Sequence, residues 1–281
     1  MRPAIVAWLT HAGWPGLASL VPAPGFFYVM IVFAAGALFC WRARAVGLSL
    51  QRATTFVLVG GLAGVVGSHL FNLLVTGGWR HIPVSRWLVD GGTASWGAYL
   101  GVATAVTVYG AMTRMNPWQW LDLVVSVHPL GEIIGRAGAC FLAGDDFGRV
   151  TNVPWAIQFP AHSLAWQAHM GRGLLGATAE WSLPIHPLQL YLAGNALLLL
   201  VIVTVIWRRF RERPGMTLGW YLILYGCSRF FWEFLRDPAA GGSDVGLSTA
   251  QWMCILFVVA GSTVLMLLQR RSNASARPQA G

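Results

Sequence analysis

The chain runs to 281 residues, of which 56% are hydrophobic and only 10% charged. A soluble domain would carry about 25% charged residues, so a water-soluble globular protein is excluded and a polytopic membrane protein is expected. All 19 basic residues are arginine and the net charge is +9, but they sit mainly in short connections between apolar windows. That is the pattern of cytoplasmic loops, and it argues against a nucleic-acid partner.

In chain order, residues 1–25 (MRPAIVAWLTHAGWPGLASLVPAPG) are moderately apolar and interrupted by Pro15, Pro22 and Pro24. A cleaved signal peptide would keep an unbroken apolar core, so this stretch reads as a retained interfacial leader. Seven windows follow, each near the roughly 20 residues that cross a bilayer: about 26–42, 54–76, 93–113, 118–142, 187–207, 217–236 and 248–269. The fold class expected is all-α, with one transmembrane domain over 26–270, an outward-facing insert at 143–186 and a disordered cytoplasmic tail at 271–281. Seven spans put the termini on opposite sides. Eleven arginines, among them Arg42, Arg44, Arg114, Arg208 and Arg270, fall on one side, and six, among them Arg2, Arg80, Arg149 and Arg172, on the other. The positive-inside rule then places the N-terminus outside and the C-terminus in the cytoplasm. The insert carries Trp155, Trp166 and Trp181, residues suited to the membrane interface. The four cysteines (Cys40, Cys140, Cys227, Cys254) form no CxxC or Cys/His spacing, so neither a zinc site nor a disulfide framework is expected.

Three clusters put costly polar groups into this apolar chain. The first, HPLGEIIGRAGACFLAGDDFGR at 128–149, has His128, Glu132 and Arg136 at four-residue steps, one face of a helix. It then breaks into glycines with Asp145, Asp146, Gly148 and Arg149. The second, IHPLQLY at 185–191, puts His186, Gln189 and Tyr191 at a helix mouth, where Pro187 suits the first turn. The third, YGCSRFFWEFLRDP at 225–238, carries Arg229, Glu233 and Arg236 as a charged stripe. Each pair alone could be a structural ion pair. Together, arginine forks at one depth match phosphate oxygens, and a nearby carboxylate or imidazole could take a proton. The residues themselves point to an intramembrane protein handling a lipid or another anionic substrate.

These clusters resemble the prolipoprotein diacylglyceryl transferase family over about 25–240. GRAGACFLAGDDFGR stands where the family has Gly-Arg-x-Gly leading to Gly-x-x-x-Gly-Arg. TNVPWAIQFP and HPLQLY are similar to its following segments, RFFWEFLRDP to its R-F-x-x-E-x-x-R-x-P element, and GTASWGAYLG at 92–101 to a helix start. The resemblance implies a bacterial inner-membrane enzyme that moves a diacylglyceryl group from phosphatidylglycerol to the lipobox cysteine thiol of a secreted preprotein, with glycerol-1-phosphate leaving. It implies Arg136 and Arg229 as a phosphate clamp, Glu233 orienting Arg229, Arg149 lining the outward mouth, and no metal or nucleotide cofactor. A monomer is expected. His186 joins the catalytic candidates, and Gly148, Asp145, Asp146, Tyr191, Gln189, Arg236 and Trp96 the substrate-binding ones.

The chain also departs from that pattern. Trp96 occupies a slot where the family commonly has histidine or tyrosine, and it cannot take up a proton. Ala139-Cys140 replaces an asparagine, with one residue inserted before Gly148. Leu192 stands for a carboxylate, and Asp145-Asp146 replaces Asn-Gly-Glu-like residues. Three readings stay open at this point: Asp145, Asp146 or His186 as the base; another thiol or lipid as substrate; or a lipid-binding scaffold that kept the fold without the chemistry.

Overall fold

The structure is a computed structural model that describes residues 1–20, 24–87 and 94–275. The start of the 93–113 window, Pro22 and the tail from 276 onward lie outside the described residues. Residues 1–20 form α1 (Arg2–His11) and α2 (Pro15–Leu20), and the Met1 ammonium donates to the Leu142 carbonyl at 3.2 Å. The long helices follow as α3 (Pro24–Ala45), α4 (Leu50–Thr76), α5 (Ser95–Thr113) and α6 (Pro117–Ile134). After the insert, which holds α7 (Leu164–Gly171), come α8 (Leu188–Phe210), α9 (Met216–Trp232) and α10 (Thr249–Ser275). Each of the seven apolar windows thus contains a helix. Among the described residues, four helices are long and apolar enough to cross a membrane: Phe26–Ala45, Leu50–Thr76, Leu188–Phe210 and Thr249–Arg271. Their outward faces, including Phe33, Leu58, Leu62, Leu74 and Val205, are exposed, as a lipid surround requires and water would oppose.

Helix α6 is the centre of the bundle, packing against α3, α5, α8 and α9. Small residues let neighbouring backbones touch. At Gly101, on α5, an added Cβ would collide with the Ala63 carbonyl of α4; at Gly226, on α9, it would lie 2.7 Å from the Cys254 carbonyl of α10. The arginine-rich end is closed by an aromatic core in which Phe39, Phe56 and Trp120 stack at centroid distances of 4.6 to 6.0 Å. Beside it the buried Arg42 of α3 donates to the Ser126 carbonyl of α6 (2.5 Å) and to Thr204 Oγ1 of α8 (2.6 Å), tying three helices.

A second tie sits at the start of α9, which begins after Gly215 with no side-chain cap of its own. The first turn of a helix leaves its N–H groups unpaired. Asp122 of α6 accepts from the Gly215 and Leu218 N–H groups, both at 2.7 Å, so the cap comes from another helix. This fixes α9, which carries Arg229, against α6, which runs directly into the segment that carries Arg136.

Over the opposite end of the bundle lies the 143–186 insert. It has no regular strand, but Val150 and Ile157 both bridge to Ile185, and Pro160 to Trp181. Phe147, Phe159, Ala165 and Ile185 form its small core. Arg172 grips Asp237 with both terminal nitrogens, at 2.7 and 3.0 Å, which ties the insert to the segment after α9.

Candidate active site

The site begins where α6 changes its winding. Residues Gly135–Cys140 form a π-helical segment before a last α-turn at Phe141–Ala143. Such a bulge is rare and shifts side chains around the helix axis. Gly138 makes room for it: an added Cβ there would run into the Phe27 ring of α3. Arg136 stands in this segment, held on two sides. One terminal nitrogen pairs with Asp146 Oδ2, and the other lies 3.5 Å from Glu132 Oε1.

Asp146 is set by the turn that leaves α6. Gly144 and Asp146 both take left-handed backbone, with φ of 79° and 52°; for Asp146 this is unusual, though tolerated better than in a bulky residue. The turn folds its carboxylate back between two helices. Its second oxygen, Oδ1, meets Arg236 Nη1 at 2.8 Å. Glu233, in the 3-10 turn after α9, then takes Arg229 Nη1 at 2.6 Å and Arg236 Nε at 3.3 Å on one oxygen, while Ser248 Oγ donates to the other at 3.2 Å. The result is an alternating chain, Glu132–Arg136–Asp146–Arg236–Glu233–Arg229, in which Arg229, Glu233 and Arg236 are buried. Burial alone would push the Asp146 carboxyl up, but Arg136, Arg236 and Arg229 outweigh it and hold it below its usual value. Asp145 goes the other way: burial, and then the Asp146 charge, raise it.

The remaining candidates lie around this chain. Gln189 is fully buried and donates to the Asp145 carbonyl at 2.5 Å. Gly148 rests on His186, and a Cβ there would lie 2.5 Å from the His186 carbonyl. The His186 N–H donates to the Arg149 carbonyl at 3.0 Å, and its Nδ1 is 3.3 Å from the Tyr191 hydroxyl, to which Trp155 donates. Burial lowers the His186 imidazole.

Arg149 is not brought into the arginine chain. Its guanidinium goes to the Phe234 and Ser243 carbonyls and to Asp244, so it fastens the insert to the loop beyond α9. Trp96 stands apart too, edge-on to Tyr99 and Phe257 at centroid distances of 5.7 and 6.1 Å. Cys140 Sγ and the Asp145 and Asp146 carboxylates come within 4.8 Å of one another, a spacing a cation could use. Arg136 already holds Asp146, and a fixed guanidinium beside that carboxylate opposes a metal.

A model of the prolipoprotein diacylglyceryl transferase family matches residues 21–267, from the start of α3 through most of α10. The chain belongs to the prolipoprotein diacylglyceryl transferase family. Among its relatives, a phosphatidylglycerol–prolipoprotein diacylglyceryl transferase of Azoarcus sp. is 34% identical over 273 residues, covering 94% of this chain and 92% of its own. One of Aromatoleum aromaticum is 32% identical over 261 residues, covering 90% and 89%. One of Paraburkholderia phymatum is 35% identical over 213 residues, covering 68% of each.

Arg136, Arg229 and Arg236 share one chain of ion pairs through Asp146 and Glu233. Several partners escape a reading of the sequence. Asp122, Tyr225, Ser248 and the Arg172–Asp237 pair act across long stretches of chain, and only the cost of their burial marks them out.

Proposed function

We propose that this protein is a phosphatidylglycerol–prolipoprotein diacylglyceryl transferase, built on seven spans in a bacterial inner membrane with its N-terminus outside. The observation that carries the reading is the convergence of Arg136, Arg229 and Arg236 around two carboxylates, in a chain of this family. In the reaction, the sulfur of the lipobox cysteine attacks the glycerol carbon that bears the phosphate. The carbon–oxygen bond breaks, glycerol-1-phosphate leaves with the bonding electrons, and a thioether forms. Guanidinium forks stabilise the charge that gathers on the departing phosphate. Asp146 bridges Arg136 and Arg236 with its two oxygens, the arrangement a phosphodiester would adopt, so lipid binding displaces it from at least one of them.

The thiol must lose its proton to a base. Asp146 is a poor choice, because its arginines keep it ionised and weakly basic. Asp145, whose carboxyl is raised and whose Oδ1 is buried without a partner, and His186, neutral near pH 7, are the better acceptors. Transfer from phosphatidylglycerol vesicles to a lipobox peptide, read by mass spectrometry, tests the proposal. Arg136→Ala and Arg229→Ala should abolish the mass gain while accumulating normally in the membrane. Wild-type levels of product from both variants would sink it.

A further inference from the structure

We propose that Glu132 is a positioning residue that holds Arg136 in place when the lipid phosphate displaces Asp146. The inference rests on the transferase reading and goes beyond it by naming the group that keeps the clamp open and aligned.

Two routes join Arg136 on α6 to Arg229 on α9. The outer route runs through Asp146, Arg236 and Glu233. The inner route is shorter: Glu132 Oε1 lies 3.5 Å from Arg136 Nη2 and accepts from the Tyr225 hydroxyl at 3.3 Å. Tyr225 stands one helical turn before Arg229 on α9. Glu132 therefore grips Arg136 at the terminal nitrogen that Asp146 does not use, and anchors it to the helix carrying the other clamp residue.

A phosphodiester arriving between Arg136 and Arg236 competes with Asp146 and opens the outer route. The inner route involves neither oxygen of Asp146, so it survives. Without it, Arg136 would stand on a π-helical segment with its flexible stem unsupported at the moment its orientation matters. The pocket behind Glu132 is built to hold it still. Tyr225 is buried, its hydroxyl lies 3.4 Å from that of Tyr99, and His128 packs on both rings while pairing with the Tyr221 hydroxyl at 2.6 Å. Tyr99, His128 and Tyr221, from α5, α6 and α9, thus pack around Tyr225, the residue that donates to Glu132 one turn below Arg136. Trp96, on the first turn of α5, backs this shell through Tyr99.

The test is steady-state kinetics of transfer to a lipobox peptide with phosphatidylglycerol varied in mixed micelles, for wild type, Arg136→Ala, Glu132→Ala, Glu132→Gln and Tyr225→Phe. Glutamine keeps an oxygen that accepts from both Tyr225 and Arg136, so the geometry survives without the charge. Losing a hydrogen bond to a charged group corresponds to about 10- to 100-fold. Glu132→Ala should lower kcat/KM for the lipid by that factor, Glu132→Gln should recover to within about threefold of wild type, and Tyr225→Phe should fall between. The Tyr225→Phe loss should disappear in the Glu132→Ala background, because both act through one tie. Glu132→Ala with wild-type kinetics, or Glu132→Gln as poor as Glu132→Ala, would overturn the inference. If Glu132→Ala does not accumulate, Tyr225→Phe decides: unchanged kcat/KM refutes the tie. Activity in Arg136→Ala would instead defeat the transferase site itself, which keeps the two failures apart.

Discussion

Replacing Asp146 by asparagine separates its two proposed duties, as counter-ion in the empty site and as the group that yields to phosphate. At a charge separation of about 4 Å and an effective dielectric of about 20, each carboxylate–guanidinium pair contributes about 4 kcal/mol of attraction before desolvation. Asp146 makes two such pairs with its side chain 23% exposed. Removing one partner of a buried pair costs about 3–5 kcal/mol, and asparagine keeps the shape and one acceptor oxygen. A loss of about 2–4 kcal/mol in the lipid-free protein is expected by the same reasoning. In a chain of this size that lowers the melting temperature by about 5–15 °C. A bound phosphodiester should return much of it, since it supplies the missing negative charge. The assay is thermal unfolding in detergent with added phosphatidylglycerol or added diacylglycerol, which lacks the phosphate. The stabilisation by phosphatidylglycerol over diacylglycerol should be larger in Asp146→Asn than in wild type. Equal increments in the two proteins would refute the idea that Asp146 and the phosphate share a place.

Three further outcomes follow from the geometry. Because the arginines depress Asp146, its contribution to stability is present above its unfolded value of about 4 and is lost as pH falls below that; the stability gap between wild type and Asp146→Asn should close on acidification through that range, by thermal unfolding. Gly148→Ala places a methyl group 2.5 Å from the His186 carbonyl, so it should cost about 1–3 kcal/mol and reduce transfer, measured by melting temperature and peptide lipidation. Asp122→Ala strands the Gly215 and Leu218 N–H groups and should destabilise by about 1–3 kcal/mol, read as a lower melting temperature of the detergent-solubilised protein.

Much of the helical layout is legible in the sequence, because apolar windows bounded by arginines and glycines leave little choice. The i,i+4 pairs are legible for the same local reason: Glu132 does approach Arg136, and Glu233 does pair with Arg229. What periodicity cannot supply is the fold of the chain after α6. Asp146 reaches Arg236, 90 positions further on, only because Gly144 and Asp146 adopt left-handed backbone and turn the insert back over the bundle. The π-helical winding at Gly135–Cys140 is likewise invisible to an α-helical template, although its glycines permit it. For Arg149 the motif suggests the mouth of the site, and what the sequence does not reveal is that Asp244 and the Phe234 and Ser243 carbonyls hold its guanidinium.

The most direct test of the central claim is rescue of a bacterial cell depleted of its own diacylglyceryl transferase. Expression of this chain should restore growth and the lipidation of a lipobox reporter. Arg136→Ala and Arg229→Ala, at equal membrane levels, should restore neither. Rescue by both arginine variants at the wild-type rate would contradict the clamp, and a wild-type chain that leaves the reporter unlipidated would contradict the enzyme.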